Sequence, residues 1–147
     1  MIETQIDQDL KSAMLARDAE KVSTLRGIKS VFLYAKVANG TRDSELADEE
    51  AIKLLQKEAK KREESAGLYA GGGEQARADQ ELKEKAIIDA YLPAKLSEED
   101  LSKIVDEVIS GKTDANLGMV IGEVKSRAAG SADGADIARL VKAKLGQ

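Results

Sequence analysis

The sequence predicts an all-α protein, with an N-terminal four-helix region followed by a small three-helix C-terminal domain. Three observations predict it. Ala, Glu, Lys and Leu abound while the 147 residues include a single Pro, which is the composition of helices. Apolar residues recur at the 3.6-residue period, and no alternating stretch is long enough to argue for a sheet. Aromatic residues supply only 3% and Trp is absent, so any core is aliphatic. With 42% hydrophobic and 34% charged residues, the chain has a globular rather than a disordered balance.

The elements follow in order. Ile2, Ile6, Leu10 and Met14 fall on one stripe of a first helix, which breaks near Arg17-Asp18. Val22, Leu25, Phe32 and Leu33 face one way on a second, ended by Asn39-Gly40. Asp48 is the expected N-cap of a long third helix, whose apolar side is Ile52, Leu55, Ala59, Ala66 and Tyr69. Gly71-Gly72-Gly73 stops it, and a fourth runs from about 74 to 91 with Leu82, Ala86, Ile87 and Ala90 inward. Pro93 forces Leu92 out of helical conformation, which separates a domain at 1–92 from one at 97–147, with a linker at about 93–96. Ser97 caps a fifth helix carrying Leu101, Ile104, Val105 and Val108, ended by Gly111. Leu117, Val120, Ile121 and Val124 define a sixth. Ile137, Leu140, Val141 and Leu145 define a seventh, entered through Asp133-Gly134.

Composition excludes much chemistry. There is no Cys and no His, hence no disulfide, no thiol nucleophile, and neither the usual neutral-pH base nor the commonest metal ligand. No Walker phosphate loop or Rossmann fingerprint is present. No cofactor or metal is expected, although Glu and Asp side chains can in principle take Mg²⁺. The start, Met1-Ile2-Glu3-Thr4-Gln5, does not read as a signal peptide, and no run approaches a bilayer span. The expected location is the cytoplasm. A net charge of −4 gives no global pull on nucleic acid.

The sixth helix holds the leading candidate residues. Its apolar stripe is complete without Gly118 and Gly122, which share a flank with Lys125 and Ala129. Each internal glycine costs roughly 1 kcal/mol relative to Ala. Two accounts are open: a bare surface for an RNA backbone with Lys125 beside it, or a neighbouring helix crossing closely, which ranks first. The loop from Arg127 to Gly134 opens the seventh helix, where free N–H groups can hold phosphate. Asp133 argues instead for self-capping. From Asn116 onward five basic residues (Lys125, Arg127, Arg139, Lys142, Lys144) stand against three acidic ones (Glu123, Asp133, Asp136).

Other charges are read more plainly. Lys53, Lys57, Lys60 and Lys61 make a stripe on the third helix, diluted by Glu64 and expected to be a solvated face. Glu58 and Arg62 are spaced to support that helix. Arg26 and Arg62 sit by angle among apolar residues, so each is expected in an ion pair between helices, Arg62 with Glu63 or a carboxylate of the fourth helix. A ligand site is the second reading for both.

Several separated motifs resemble the YqeY family. They are Ser23-Thr24-Leu25-Arg26, Leu55-Gln56-Lys57-Glu58, Lys61-Arg62-Glu63-Glu64-Ser65, Tyr91-Leu92-Pro93 with Leu96-Ser97, and Gly118-Met119-Val120 running to Asp133-Gly134. From about Leu96 the chain also resembles the tail domain of the B subunit of tRNA-dependent amidotransferases. These likenesses imply a bacterial protein and a helical module associated with tRNA, with Gly118, Lys125 and Gly134 matching the tail best. The ATP-activating body of that subunit and its partner glutaminase have no counterpart here.

The leading functional expectation is a non-catalytic accessory protein that binds tRNA or another structured RNA through Gly118, Gly122, Lys125, Arg127, Gly134, Arg139 and Lys142. With so few aromatics, backbone and shape recognition would dominate over stacking. A protein–protein adaptor, with a partner in translation, is the alternative. A component of a glutamine-dependent amidotransferase, that is, a carbon–nitrogen ligase with glutamine as amido-N-donor, ranks third. No catalytic residue is visible, so the chain leans away from being an enzyme by itself.

Overall fold

In a computed structural model, which describes residues 1–112 and 114–146, seven helices and no strand occur among the described residues. They are α1 (Ile2–Leu15), α2 (Ala19–Ala38), α3 (Asp48–Gly71), α4 (Gln75–Asp89), α5 (Glu98–Ser110), α6 (Leu117–Ala128) and α7 (Gly134–Leu145). Two compact units are distinguishable, Met1–Leu92 and Pro93–Gln147. No helix among the described residues is long and apolar enough to cross a membrane.

The ends of α1, α2 and α3 are set by one repeated device. The amides of Asp18, Thr41 and Glu74 reach back five residues to the carbonyls of Ala13, Lys36 and Tyr69 at 3.0, 2.8 and 2.8 Å. That turn needs a left-handed residue just past the helix. Gly40 (φ +69°) and Gly73 (φ +81°) supply it after α2 and α3. After α1 it is Arg17, with φ +55°, a conformation that strains a residue bearing a Cβ. Asp18 then caps α2 by accepting from the Lys21 amide at 3.2 Å.

The first core gathers Ile6 and Leu10 of α1, Leu25, Ile28 and Phe32 of α2, Leu46, Ala51, Leu55 and Ala59 of the α3 region, and Ile88 of α4. Each large aliphatic removed from water contributes about 1.5–3 kcal/mol. α3 and α4 form the most extensive pair, as expected across a short connection. Ionic ties fix the loop before α3. Glu3 accepts from Lys36 Nζ at 2.8 Å and from the Leu46 amide at 3.3 Å.

Several expected positions are corrected in this unit. Ala13, not Met14, completes the buried stripe of α1, and Leu33 of α2 is exposed. Asp48 is the first residue of α3 rather than its cap; Ala47 holds that place, while Asp48 Oδ1 accepts from the Ile2 amide at 2.8 Å. On α4 the buried residues are Ala78 and Ile88, whereas Leu82, Ala86 and Ala90 face solvent and Ile87 is half-buried. Arg26 is exposed and makes no ion pair among the described residues, because its neighbour Leu33 lies outside the core as well.

In the second unit each of α5, α6 and α7 packs on both others. Leu101, Val105 and Val108 of α5 meet Val120 and Val124 of α6 and Ile137 and Val141 of α7. The Ser97 hydroxyl accepts from the Asp100 amide at 3.1 Å to cap α5. Leu96 donates its amide to the Ser131 carbonyl at 2.7 Å, tying the entry of the unit to the α6–α7 loop.

Candidate nucleic-acid interface

Asn116 begins the site by capping α6; its Oδ1 accepts from the Met119 amide at 2.8 Å. By the rotation of about 100° per residue, Gly118, Gly122 and Lys125 then stack along one flank while Arg127 falls on the opposite one. A Cβ built on Gly122 meets nothing within 4 Å, and one on Gly118 meets only Asn116 Oδ1 at 3.7 Å. Among the described residues, therefore, the expected helix crossing does not occur. Both glycines border open space, and no packing contact explains them.

Beyond α6 the chain turns sharply through Ala129 (φ +46°) and Gly130 (φ +87°). Asp133 caps α7, its Oδ1 accepting from the Ala135 amide at 3.1 Å, so the expected self-capping is what occurs. Gly134 opens the helix, and here the flank of α6 meets α7. A Cβ on Gly134 would stand 3.4 Å from Lys125 Cε and 3.6 Å from Lys125 Nζ. The bare backbone of Gly134 leaves room for the lysine stem. Lys125 makes no ion pair among the described residues. Lys142, two turns further along α7, is also exposed and without such a pair.

The arginines are arranged differently. Arg127 lies 3.2 Å from Glu123 and 3.5 Å from Glu107 of α5. Glu123 is bound at 2.8 Å by Lys112 as well. That hydrogen bond holds its carboxyl below its ordinary value although burial opposes it, and the charges of Lys112 and Arg127 add to the lowering. Arg139 contacts Glu98 at 2.8 Å and Asp136 at 3.9 Å. Lys144 meets Asp106 at 2.7 Å. Of the seven candidate positions, the structure brings Lys125 and Gly134 together on the flank of Gly118 and Gly122, and turns Arg127 and Arg139 towards carboxylates of α5.

Two polar groupings in the first unit complete the inventory. Arg62 lies 2.9 Å from Glu58 and 3.3 Å from Glu84 of α4, which is the expected pair with a fourth-helix carboxylate. Lys61 also reaches Glu58 at 3.1 Å, and Glu58 is buried. The lysine stripe at Lys53, Lys57 and Lys60 is exposed, as a solvated face should be.

The second grouping escaped sequence reasoning. The Tyr91 hydroxyl donates to Asp9 Oδ2 at 2.5 Å, and Gln5 Nε2 donates to Oδ1 at 2.9 Å. The Tyr91 bond holds the Asp9 carboxyl below its ordinary value although burial opposes it, with help from Gln5 and Lys21. Burial, then the bond to Asp9, pushes the Tyr91 phenol well up. At neutral pH the pair is therefore a fixed carboxylate and a fixed phenol, a brace between α1 and the end of α4 and poorly suited to proton transfer. Its sequence signal was the motif Tyr91-Leu92-Pro93, but nothing pointed to a partner 82 positions away. Among the described residues no group of acidic side chains is placed to hold a metal ion.

No curated protein matches the chain. The family model described as "Yqey-like protein" matches residues 3–145, nearly the whole length. The order of helices, the motifs carried by α2, α3 and α6, and the one that follows α4 thus fall within one pattern, and the chain belongs to the YqeY-like protein family.

Proposed function

We propose that the protein is a non-catalytic accessory factor that binds tRNA or another structured RNA, in the cytoplasm, through the flank shared by α6 and the start of α7. One observation carries the reading. Gly122 is a costly glycine inside α6 and Gly118 lies in its first turn; among the described residues no atom needs their bareness, and Lys125 beside them makes no ion pair. A sugar-phosphate backbone can lie closer to such a surface than to one bearing side chains, and Lys125 and Lys142 would meet phosphates. Arg127 and Arg139 would join only by leaving their carboxylates, and serve first to hold α5 against α6 and α7. The likeness of the segment from about Leu96 to the amidotransferase B-subunit tail supports the same assignment. In this reading 97–147 is the RNA-binding domain and 1–92 is the part particular to the YqeY pattern.

The test is anisotropy of fluorescently labelled bulk tRNA, titrated across salt, with Lys125→Glu alongside. Binding in the micromolar range that weakens as salt rises, with a shallow slope set by two or three phosphate contacts, is expected. Lys125→Glu should abolish it. Absence of binding at low salt would sink the reading. Met119, 54% exposed beside Gly118, favours a second reading, docking of a protein helix on the same flank. That association would be insensitive to salt.

A further inference from the structure

The outer face of α2 is unpartnered and carries an internal complementarity. Ser23, Arg26, Gly27, Ser30, Leu33, Tyr34 and Val37 are all exposed, and they recur at the three- and four-residue spacing of a helix seam. Leu33, Tyr34 and Val37 are 45%, 77% and 54% exposed, an apolar cluster that water does not favour. Gly27 has open space where a Cβ would stand. Arg26 makes no ion pair among the described residues.

These residues are matched about Ser30. Arg26 and Tyr34 lie four positions to either side, Gly27 and Leu33 three, and Ser23 and Val37 seven. We propose that the chain self-associates through this face, two copies of α2 pairing antiparallel about a two-fold axis at Ser30. Such an isologous contact pairs each residue with its mirror position on the other copy. Leu33 then enters the gap left by the partner's Gly27, and the partner's Tyr34 ring receives the Arg26 guanidinium. Cations over aromatic faces are favourable within about 6 Å, and this chain already makes one such contact, Arg77 over Tyr69 at 5.8 Å. Small residues at the crossing let the two backbones approach, and the 20-residue helix offers about 30 Å of seam. A second copy fits better than an unrelated partner, because the face supplies both halves of every contact.

The test uses the full chain. Sedimentation equilibrium from micromolar to millimolar concentration should show the 15.7 kDa chain moving to twice that mass. Gly27→Leu fills the gap and Leu33→Asp removes the knob, and each should raise the dissociation constant at least tenfold. Both positions are exposed, so circular dichroism of the dilute chain should stay as in the parent, while Gly27→Leu should raise its melting temperature as the loss of a mid-helix glycine does, a gain that makes any loss of dimer the more telling. Because the chain has no cysteine, Ser30→Cys should form a disulfide-linked dimer under mild oxidation, and Gln8→Cys on exposed α1 surface should not. A chain that stays monomeric throughout overturns the proposal. So does a dimer indifferent to both α2 variants, or equal cross-linking from positions 8 and 30.

Discussion

Lys125 lies across the first residue of α7, its Cε 3.4 Å and its Nζ 3.6 Å from the place a Gly134 Cβ would occupy. Gly134 is thus a seat for a lysine stem as well as a helix start. Gly134→Ala should leave stability unchanged or raise it by a few tenths of a kcal/mol, since the obstructing atoms end a flexible side chain and Ala suits a helix. The displaced amine should weaken tRNA binding several-fold. Melting and anisotropy on the same samples check both halves.

Gly118→Ala and Gly122→Ala separate the two reasons a helix can hold glycine. Nothing obstructs a Cβ at either position, the one contact being Asn116 Oδ1 at 3.7 Å from that of Gly118, so Gly122→Ala should stabilise α6 by up to about 1 kcal/mol and Gly118→Ala, in the first turn, by less. If the bare flank is a binding surface, the double variant should melt higher yet bind RNA at least tenfold more weakly. Thermal unfolding that shifts downward would show a packing role that the geometry does not contain.

Arg62 should matter more than an exposed arginine, because it compensates Glu58, which is only 7% exposed. Arg62→Ala should cost about 2 kcal/mol, below the range for fully buried pairs because water reaches the guanidinium. Glu84→Gln, at the wetter end of the same group, should cost less than about 1 kcal/mol. Urea unfolding at neutral pH gives both values.

Tyr91→Phe should cost about 1.5–3 kcal/mol at pH 7, the worth of a hydrogen bond to a charged acceptor. The pH dependence follows from both partners. Asp9 is depressed in the folded state, so its contribution is present above its ordinary value of 3.8 and is lost as pH falls through the lower folded value. Tyr91 is raised, so its contribution is full below its ordinary value of 10.0 and declines as pH climbs above that. The stability gap between parent and variant should accordingly narrow in acid and in strong alkali, and stay level between.

Much of this was legible in the residues. Gly40, the glycine triplet, Ser97, Gly111 and Asp133 mark helix ends by chemistry that is local, and local chemistry survives translation into sequence rules. The apolar stripes of α5, α6 and α7 were read correctly because large aliphatics recur along each at helical spacing and all meet in one core. α4 was misread for the opposite reason. It has few aliphatic residues, and its inward side is set by Ala78, Ile88 and the pairing of Glu84 with Arg62, so a charge chose the register and left Leu82 outside. The core place that Met14 was expected to fill went to Ala13 because α1 lies close against its neighbours there. On the candidate flank, spacing located Gly118, Gly122 and Lys125. It could not show that the space beside them is open, nor that Arg127 and Arg139 are already engaged, since both depend on where other helices lie.

The bond between the Leu96 amide and the Ser131 carbonyl also orders events in time. A chain leaving the ribosome exposes Leu96 long before Ser131 exists. All of α5 and α6 must therefore be synthesised before the entrance to the second unit can be fastened, whereas the Asp9–Tyr91 brace has both its ends by residue 91. Synthesis thus completes the first unit's long-range brace while the second still lacks the residue that closes it.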